Sequence, residues 1–188
     1  MDGVFRGDGR SEELHRFLQN CVRRSWRDIY LLRGYFCAHD YPFHYSPYAD
    51  QVEFQHEERE EYFEQIPEEL CRSAVILVDP DNGLVVPSAR RGNLHKFVKY
   101  EEVRNLLTRM DDSSVLSVYQ HLPRIKRGLY FNQVHRELES VCGSASPVSI
   151  TDNRVAFILL AKTKERAGRV RDLLQRYARR RPKLEIYG

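Results

Sequence analysis

The sequence lacks the features that mark membrane, secreted and low-complexity chains. No apolar run approaches the ~20 residues that a membrane-spanning helix requires. The first ten residues contain no apolar segment typical of a secretory signal. The 10 glycines and 8 prolines are few and scattered. We therefore expect a cytoplasmic protein without a membrane partner, and the sequence does not indicate its oligomeric state.

Cysteine is also scarce. The four cysteines form no C-x-x-C pair, which argues against a zinc knuckle, and a disulfide framework is not expected at this length. We interpret them as reduced, packed thiols. A chain of 188 residues, of which 41% are hydrophobic, can bury a core without such crosslinks. We expect one α/β domain over residues 1–188.

The net charge of the chain is small, but its charged residues are unevenly distributed. The formal net charge is +3, with an acidic segment at 53–69 and a strongly basic segment at 162–183. The basic segment ends in Arg179, Arg180 and Arg181. It is typical either of a surface that binds a polyanion such as RNA or DNA, or of a solvated helix face. The sequence leaves both interpretations open.

The pattern of elements is irregular at first and clear later. Residues 1–70 predict an irregular, helical part, with one helix starting at Ser11, an aromatic loop at 41–48 and a helix at 57–65. Residues 73–163 predict the sheet core, and residues 164–188 predict a basic helix and a short strand. The predicted strands lie at 74–78, 115–119, 148–151, 155–161 and 184–187, and the predicted helices at 100–110, 129–141 and 164–179.

This alternation predicts an open, mostly parallel, Rossmann-like sheet with helices on both faces and a C-terminal hairpin. Strand 74–78 is apolar throughout, as a central parallel strand should be. We expect strands 74–78 and 115–119 to be parallel neighbours in the middle of the sheet, joined by the helix at 100–110. Ligands of such sheets bind beyond the carboxyl ends of the strands.

Two polar segments follow those strands. The first is Asp79-Pro80-Asp81-Asn82-Gly83, hereafter the acidic loop. Its carboxylates suit either a divalent cation or, together with the Pro80 carbonyl, an exocyclic amine. These residue types also make ordinary turns, which is the alternative interpretation.

The second segment, Gln120-His121-Leu122-Pro123-Arg124, follows Tyr119, and together they supply stacking, proton-transfer and phosphate-binding groups. We expect it to share one concave pocket with the acidic loop, because neighbouring parallel strands end at one edge of a sheet. The predicted catalytic residues are Asp79, Asp81, Asn82 and His121; the predicted substrate-binding residues are Pro80, Gly83, Lys96, Tyr119, Gln120 and Arg124; and the predicted nucleic-acid contacts are Arg179, Arg180 and Arg181.

Residues 76–84, 96–103 and 118–124 resemble a little-characterised family of bacterial and phage proteins, in which L-D-P-D-N-G-L, K-Y-x-x-x-E-[LV] and Y-Q-H-x-P-R segments occur in this order. The layout is distantly similar to that of adenine-N6 methyltransferases acting on ribosomal RNA. There a D-P-P-[YF] loop follows the fourth strand and holds the adenine amine. The resemblance implies a methyltransferase-like protein that uses S-adenosylmethionine. Asp79 and Pro80 match that loop, whereas Asp81 and Asn82 do not.

The resemblance leaves other functions open. The glycine-rich first strand and turn that hold the cofactor in methyltransferases have no counterpart before Gly7-Asp8-Gly9-Arg10. Either the N-terminal part is shortened or the chain does not bind that cofactor. Asp79 and Asp81 also resemble the acidic metal-binding motif of topoisomerase–primase domains, which implies a Mg²⁺-dependent nuclease or phosphoryl-transfer protein. A third hypothesis is a non-catalytic phage or bacterial binding or inhibitor protein.

Overall fold

The computed structural model describes residues 7–188 except 27, 29, 40, 42, 49–57, 87, 88, 90 and 144, and it gives no side chains for residues 7–11 and 91. The chain forms two compact units, Met1–Val52 and Glu53–Gly188. Among the described residues, no helix has both the length and the apolar character needed to cross a membrane.

The first unit is helical and rich in aromatic contacts. It contains α1 (Gly7–Arg23) and α2 (Tyr30–Ala38), so the predicted first helix begins before Ser11. The Tyr35 ring joins them, because it stacks on Phe17 of α1 at a centroid distance of 4.5 Å and on His39 at 4.1 Å. The stacking of Phe17 on Tyr35 therefore contributes to the packing of α1 against α2.

The second unit holds a mixed five-stranded sheet. Its strands are ordered β1-β4-β6-β5-β7, and a small separate sheet pairs β2 with β3 in parallel. The strands are β1 (Val75–Val78), β2 (Gly83–Leu84), β3 (Phe97–Val98), β4 (Val115–His121), β5 (Val148–Thr151), β6 (Val155–Leu160) and β7 (Glu185–Tyr187). The helices are α3 (Arg59–Glu64), α4 (Tyr100–Arg109), α5 (Arg127–Cys142) and α6 (Lys164–Ala178), with 3₁₀ helices at Glu68–Cys71 and Arg91–Lys96.

The predicted parallel pair is confirmed. β1 and β4 are parallel neighbours, with Val75 opposite Val115 and Val78 opposite Val118. The helix α4 connects them, as the sequence predicts. The position of β1 is different from the prediction, because β1 forms an edge of the sheet and not its middle.

The prediction of a mostly parallel sheet is wrong. Apart from β1 and β4, the pairs in this sheet are antiparallel. The cause is the tight turn at Asp152, whose carboxylate accepts hydrogen bonds from the backbone N–H groups of Arg154 and Val155. A turn this short can only join antiparallel strands. After this turn β6 lies between β5 and β4. The strands β4 and β5, which run in the same direction, therefore do not pair with each other.

The two faces of the sheet differ in composition. Register places Leu116, Val118, Ile158 and Leu160 on one face, where all four are buried. The helix α5 covers this face: the His135 ring nitrogen is hydrogen-bonded to the Ser149 hydroxyl at 2.7 Å, and the Phe131 ring stacks on Tyr187 at 4.5 Å. The helix α4 packs beside α5. We call this the core face.

The helix α6 contacts β5 and β7. It joins β6 to β7, and both of these strands run antiparallel to β1, β4 and β5. The connection from β6 to β7 nevertheless crosses the sheet toward the same edge as the connections from β1 to β4 and from β4 to β5. A right-handed crossover then places α6 on the face opposite α5, the outer face. The side chain of Val148 lies on the outer face and is only 1% exposed, which agrees with α6 covering this part of the outer face.

Candidate functional site at the carboxyl ends of β1 and β4

The buried side chain of Gln120 fastens the acidic loop to β4. Gln120 is 2% exposed. Its Oε1 accepts a hydrogen bond from the backbone N–H of Leu84 at 2.8 Å, and its Nε2 donates to the carbonyls of Asn82 at 3.2 Å and His121 at 2.6 Å. Because a buried amide must satisfy both of its polar atoms, this arrangement fixes the loop relative to the strand end.

Gly83 makes this close approach possible. Its φ angle is +100°, in a region that residues with a side chain rarely adopt. A Cβ atom at this position would lie 2.4 Å from the Gln120 amide. Glycine is therefore required both by the backbone conformation and by the space that Gln120 occupies.

The neighbouring strand β3 holds the other side of the loop. The backbone N–H of Asn82 donates to the Lys96 carbonyl at 2.9 Å, and β2 continues in parallel with β3. The Lys96 backbone thus lies against the acidic loop, while its side chain is exposed. The loop is consequently held by backbone and side-chain hydrogen bonds from two strands.

The predicted site residues differ in exposure. Asp79, Asp81, His121 and Arg124 are exposed, Pro80, Asn82 and Tyr119 are half-buried, and Gly83 and Gln120 are buried. Gln120 uses its amide for internal hydrogen bonds, which favours positioning of the loop over direct substrate contact. The Tyr119 and His121 rings lie 5.2 Å apart. That Asp81 and His121 line one pocket stays a prediction.

Cations gather at the same end of the sheet. The Arg127 guanidinium donates to the Pro123 carbonyl at 2.5 Å and to the Asn153 carbonyl at 3.1 Å. It thereby ties the loop that carries Arg124 to the hairpin turn that carries exposed Arg154. We call the region of this loop and this turn the basic end of the sheet.

The topology brings the arginine cluster to this end as well. β6 runs away from the basic end, and β7 starts again at Glu185, opposite Thr151. The helix α6 must therefore run back toward the basic end, and Arg179, Arg180 and Arg181 directly follow it. The Arg181 guanidinium lies over the Tyr177 ring, 3.8 Å from its centroid.

A buried ion pair that the sequence did not reveal supports β3 and α4. The Arg59 guanidinium donates to the Glu102 carboxylate, with an Nη2–Oε2 distance of 2.7 Å, and also to the Phe97 carbonyl. Glu102 accepts a further hydrogen bond from the backbone N–H of Lys99 at 2.7 Å. The partners are 43 residues apart, so no local pattern connects them.

Two of the groups with shifted pKa values, Asp111 and His135, lie away from the acidic loop. Hydrogen bonds from the Ser114 hydroxyl and the Ser73 backbone lower the pKa of Asp111 to about 2, at the opposite end of β1 and β4. Burial, with a smaller effect from the Arg171 charge, lowers the pKa of His135 to about 4. Both groups stabilise the fold through internal hydrogen bonds, and neither indicates a catalytic centre.

The described residues do not fit the cofactor or a complete metal centre. Within the described part of the chain, no group of three or more His, Cys, Asp or Glu residues is arranged to hold a metal ion. There β1 has a strand neighbour only on the β4 side, and no glycine-rich strand and turn precedes it. The pocket that the resemblance implies for S-adenosylmethionine is therefore not provided by these residues.

Comparison of the chain with protein-family models, with curated protein sequences and with solved structures finds no match.

Proposed function

We propose that this chain recognises a nucleobase, in a nucleotide or a nucleic acid, at the acidic loop, as a methyltransferase-like protein would. The observation that carries the proposal is the Gln120 anchor, which fixes the loop to the end of β4, the strand that also carries the Tyr119 and His121 rings. A plain surface turn needs no buried amide to fix it, whereas a binding group has to be held in place by its support.

Each exposed group has a chemical task in this proposal. The carboxylate of Asp79 or Asp81 accepts a hydrogen bond from the exocyclic amine of adenine or cytosine. The His121 imidazole, at the end of β4, can donate or accept a hydrogen bond. Arg124 binds phosphate through its planar guanidinium.

Methyl transfer is the reaction implied by the resemblance, and it is proposed separately from recognition. The described residues supply no cofactor pocket, so we assign no step to S-adenosylmethionine. Recognition of the base depends only on groups of this chain, and it can be measured without the cofactor.

A second candidate function is Mg²⁺-dependent phosphoryl transfer. One observation favours it: Asp79 and Asp81 are both exposed at the end of a strand, with only Pro80 between them. Exposed carboxylate oxygens are suitable Mg²⁺ ligands. This function predicts that magnesium binds the free protein and that Asp79→Asn removes the binding.

Titration of adenosine monophosphate and of single-stranded oligonucleotides tests the proposal. We expect Asp79→Asn to weaken nucleotide binding about tenfold, in line with the loss of one charge-assisted hydrogen bond. Its melting temperature should be unchanged. Asp112→Asn is the matched control, because Asp112 is an exposed acid at the opposite end of β4. A lower melting temperature with unchanged affinity would show that Asp79 is structural.

Titrations with magnesium and with EDTA separate the two functions. Nucleotide binding that persists in EDTA supports base recognition. Nucleotide binding that requires magnesium, together with magnesium binding to the free protein, supports phosphoryl transfer.

A further inference from the structure

The outer face of the sheet carries a pair of aromatic rings beside the candidate site, of which one is exposed and one is half-buried. Tyr119 of β4 and Phe157 of β6 are direct partners across the two strands. Their centroids lie 5.7 Å apart with an interplanar angle of 66°, so the two rings face different directions. Phe157 is 38% exposed although it lies in the middle of a strand. We call these two residues the ring pair.

The apolar character continues along this face toward the edge of the sheet. Leu77 of β1 is 56% exposed, and alternation along the paired strands places it on the same face as Tyr119. The outer face of a sheet normally carries polar side chains where it meets water. Contiguous exposed apolar groups of this kind usually mark a binding surface.

On the β6 side of the ring pair, away from the exposed acids Asp79 and Asp81 at the end of β1, the charge favours an anionic partner. His121, two residues beyond Tyr119, leads into the basic end, where Arg124, Lys126 and Arg154 are exposed. The acids of the hairpin turn and of β7 are engaged within the protein: Asp152 accepts two backbone N–H groups, and Glu185 accepts the Asn153 amide and the Tyr187 hydroxyl. Cations beside exposed rings are the arrangement that binds the backbone and bases of a single strand.

We propose that the outer face binds single-stranded nucleic acid, with bases stacked on Tyr119 and Phe157 and phosphates held at the basic end. The inference rests on the proposed function, and it names the substrate class and extends the contact surface beyond one nucleotide. A duplex is excluded because its bases are stacked on each other and cannot reach the rings. Because the rings are not coplanar, each stacks on a separate base.

Fluorescence anisotropy with labelled single-stranded RNA, single-stranded DNA and a duplex of the same sequence tests the inference. Phe157→Ala should weaken single-strand binding by about tenfold or more, the usual effect of removing one stacking ring. Phe157→Tyr should retain binding, because it keeps the ring. Leu129→Ala is the matched control: Leu129 is 65% exposed on α5, which covers the core face. Circular dichroism and melting temperatures verify that each variant is folded.

Other results would overturn the inference. These are unchanged affinity in Phe157→Ala, duplex binding as tight as single-strand binding, or no oligonucleotide binding by the wild type. Self-association that Phe157→Ala abolishes, without oligonucleotide binding, would identify the face as an interface between copies of the chain. In each case the proposed function would still hold if Asp79→Asn weakens the binding of adenosine monophosphate. The proposed function itself would be contradicted if Asp79→Asn binds adenosine monophosphate as tightly as the wild type does.

Discussion

Gly83 and Gln120 form a matched pair in which the missing Cβ of one residue leaves space for the amide of the other. Gly83→Ala would require both a strained backbone with φ near +100° and displacement of Gln120. We expect a loss of about 2 kcal/mol in the free energy of unfolding. Urea unfolding measures it, and the slope of the transition should stay constant.

Gly128→Ala is the control for this prediction. A Cβ atom at Gly128 would meet no heavy atom within 4 Å, and Gly128 lies in α5, where alanine is favoured. We expect this variant to be as stable as the wild type or slightly more stable. Equal stability of Gly83→Ala and Gly128→Ala would contradict the matched-pair interpretation.

The position of the loop could be predicted from sequence, but its anchor could not. An apolar strand followed by Asp79-Pro80 indicates where the polar loop begins. The direction of the Gln120 side chain depends on which face of the sheet position 120 occupies. It also depends on β2, which packs against this side chain and donates a hydrogen bond to it. Neither is a local property of the sequence.

At the scale of elements, the Arg59–Glu102 pair links α3 to α4. Arg59 is 5% exposed and Glu102 is 7% exposed, so removal of one partner leaves the other charge buried. We expect Arg59→Met to destabilise the second unit by about 3–5 kcal/mol. Glu68→Gln, which breaks the exposed pair with Arg72, should cost about 0–1 kcal/mol. Similar losses in the two variants would contradict the assignment of a buried pair.

The basic helix α6 gives a prediction about salt. If the arginine cluster contacts phosphates, replacement of Arg179, Arg180 and Arg181 by glutamine should lower the affinity for single-stranded nucleic acid. The dependence of log Kd on log salt concentration should also become shallower, by up to about 0.7 per lost contact. Arg72→Gln, an exposed site before β1, is the control. An unchanged slope would favour a solvated helix face.

Local patterns predicted most elements but not their order in the sheet. The apolar run before Asp79, the hairpin turn at Asp152 and the basic helix were each visible as residue patterns. The hairpin inserts β6 beside β4, so a strand far along the chain takes the place that a parallel neighbour would occupy. Strand order is set by which apolar surfaces pack best in three dimensions, and an alternation of strands and helices does not encode it.

At the scale of the whole molecule, acid stability should depend on a histidine buried in its neutral form. His135 lies under the sheet against the Ser149 hydroxyl, and burial together with the Arg171 charge lowers its pKa to about 4. The unfolded chain binds this proton near pH 6.5, and the folded chain binds it only near pH 4. The stabilisation is therefore complete above pH 6.5 and is lost as the pH falls from 6.5 to 4.

We expect this loss to be about 3 kcal/mol, measured by urea unfolding across that pH range. His135→Gln keeps a hydrogen-bonding group beside Ser149 but cannot be protonated, so its stability should change less between pH 6.5 and 4. Below pH 4 both proteins should lose stability further, because the pKa of Asp111 is lowered to about 2 in the folded chain, so the unfolded chain binds this proton first. If the wild type and His135→Gln have the same profile between pH 6.5 and 4, the acid sensitivity of the fold comes from groups other than His135.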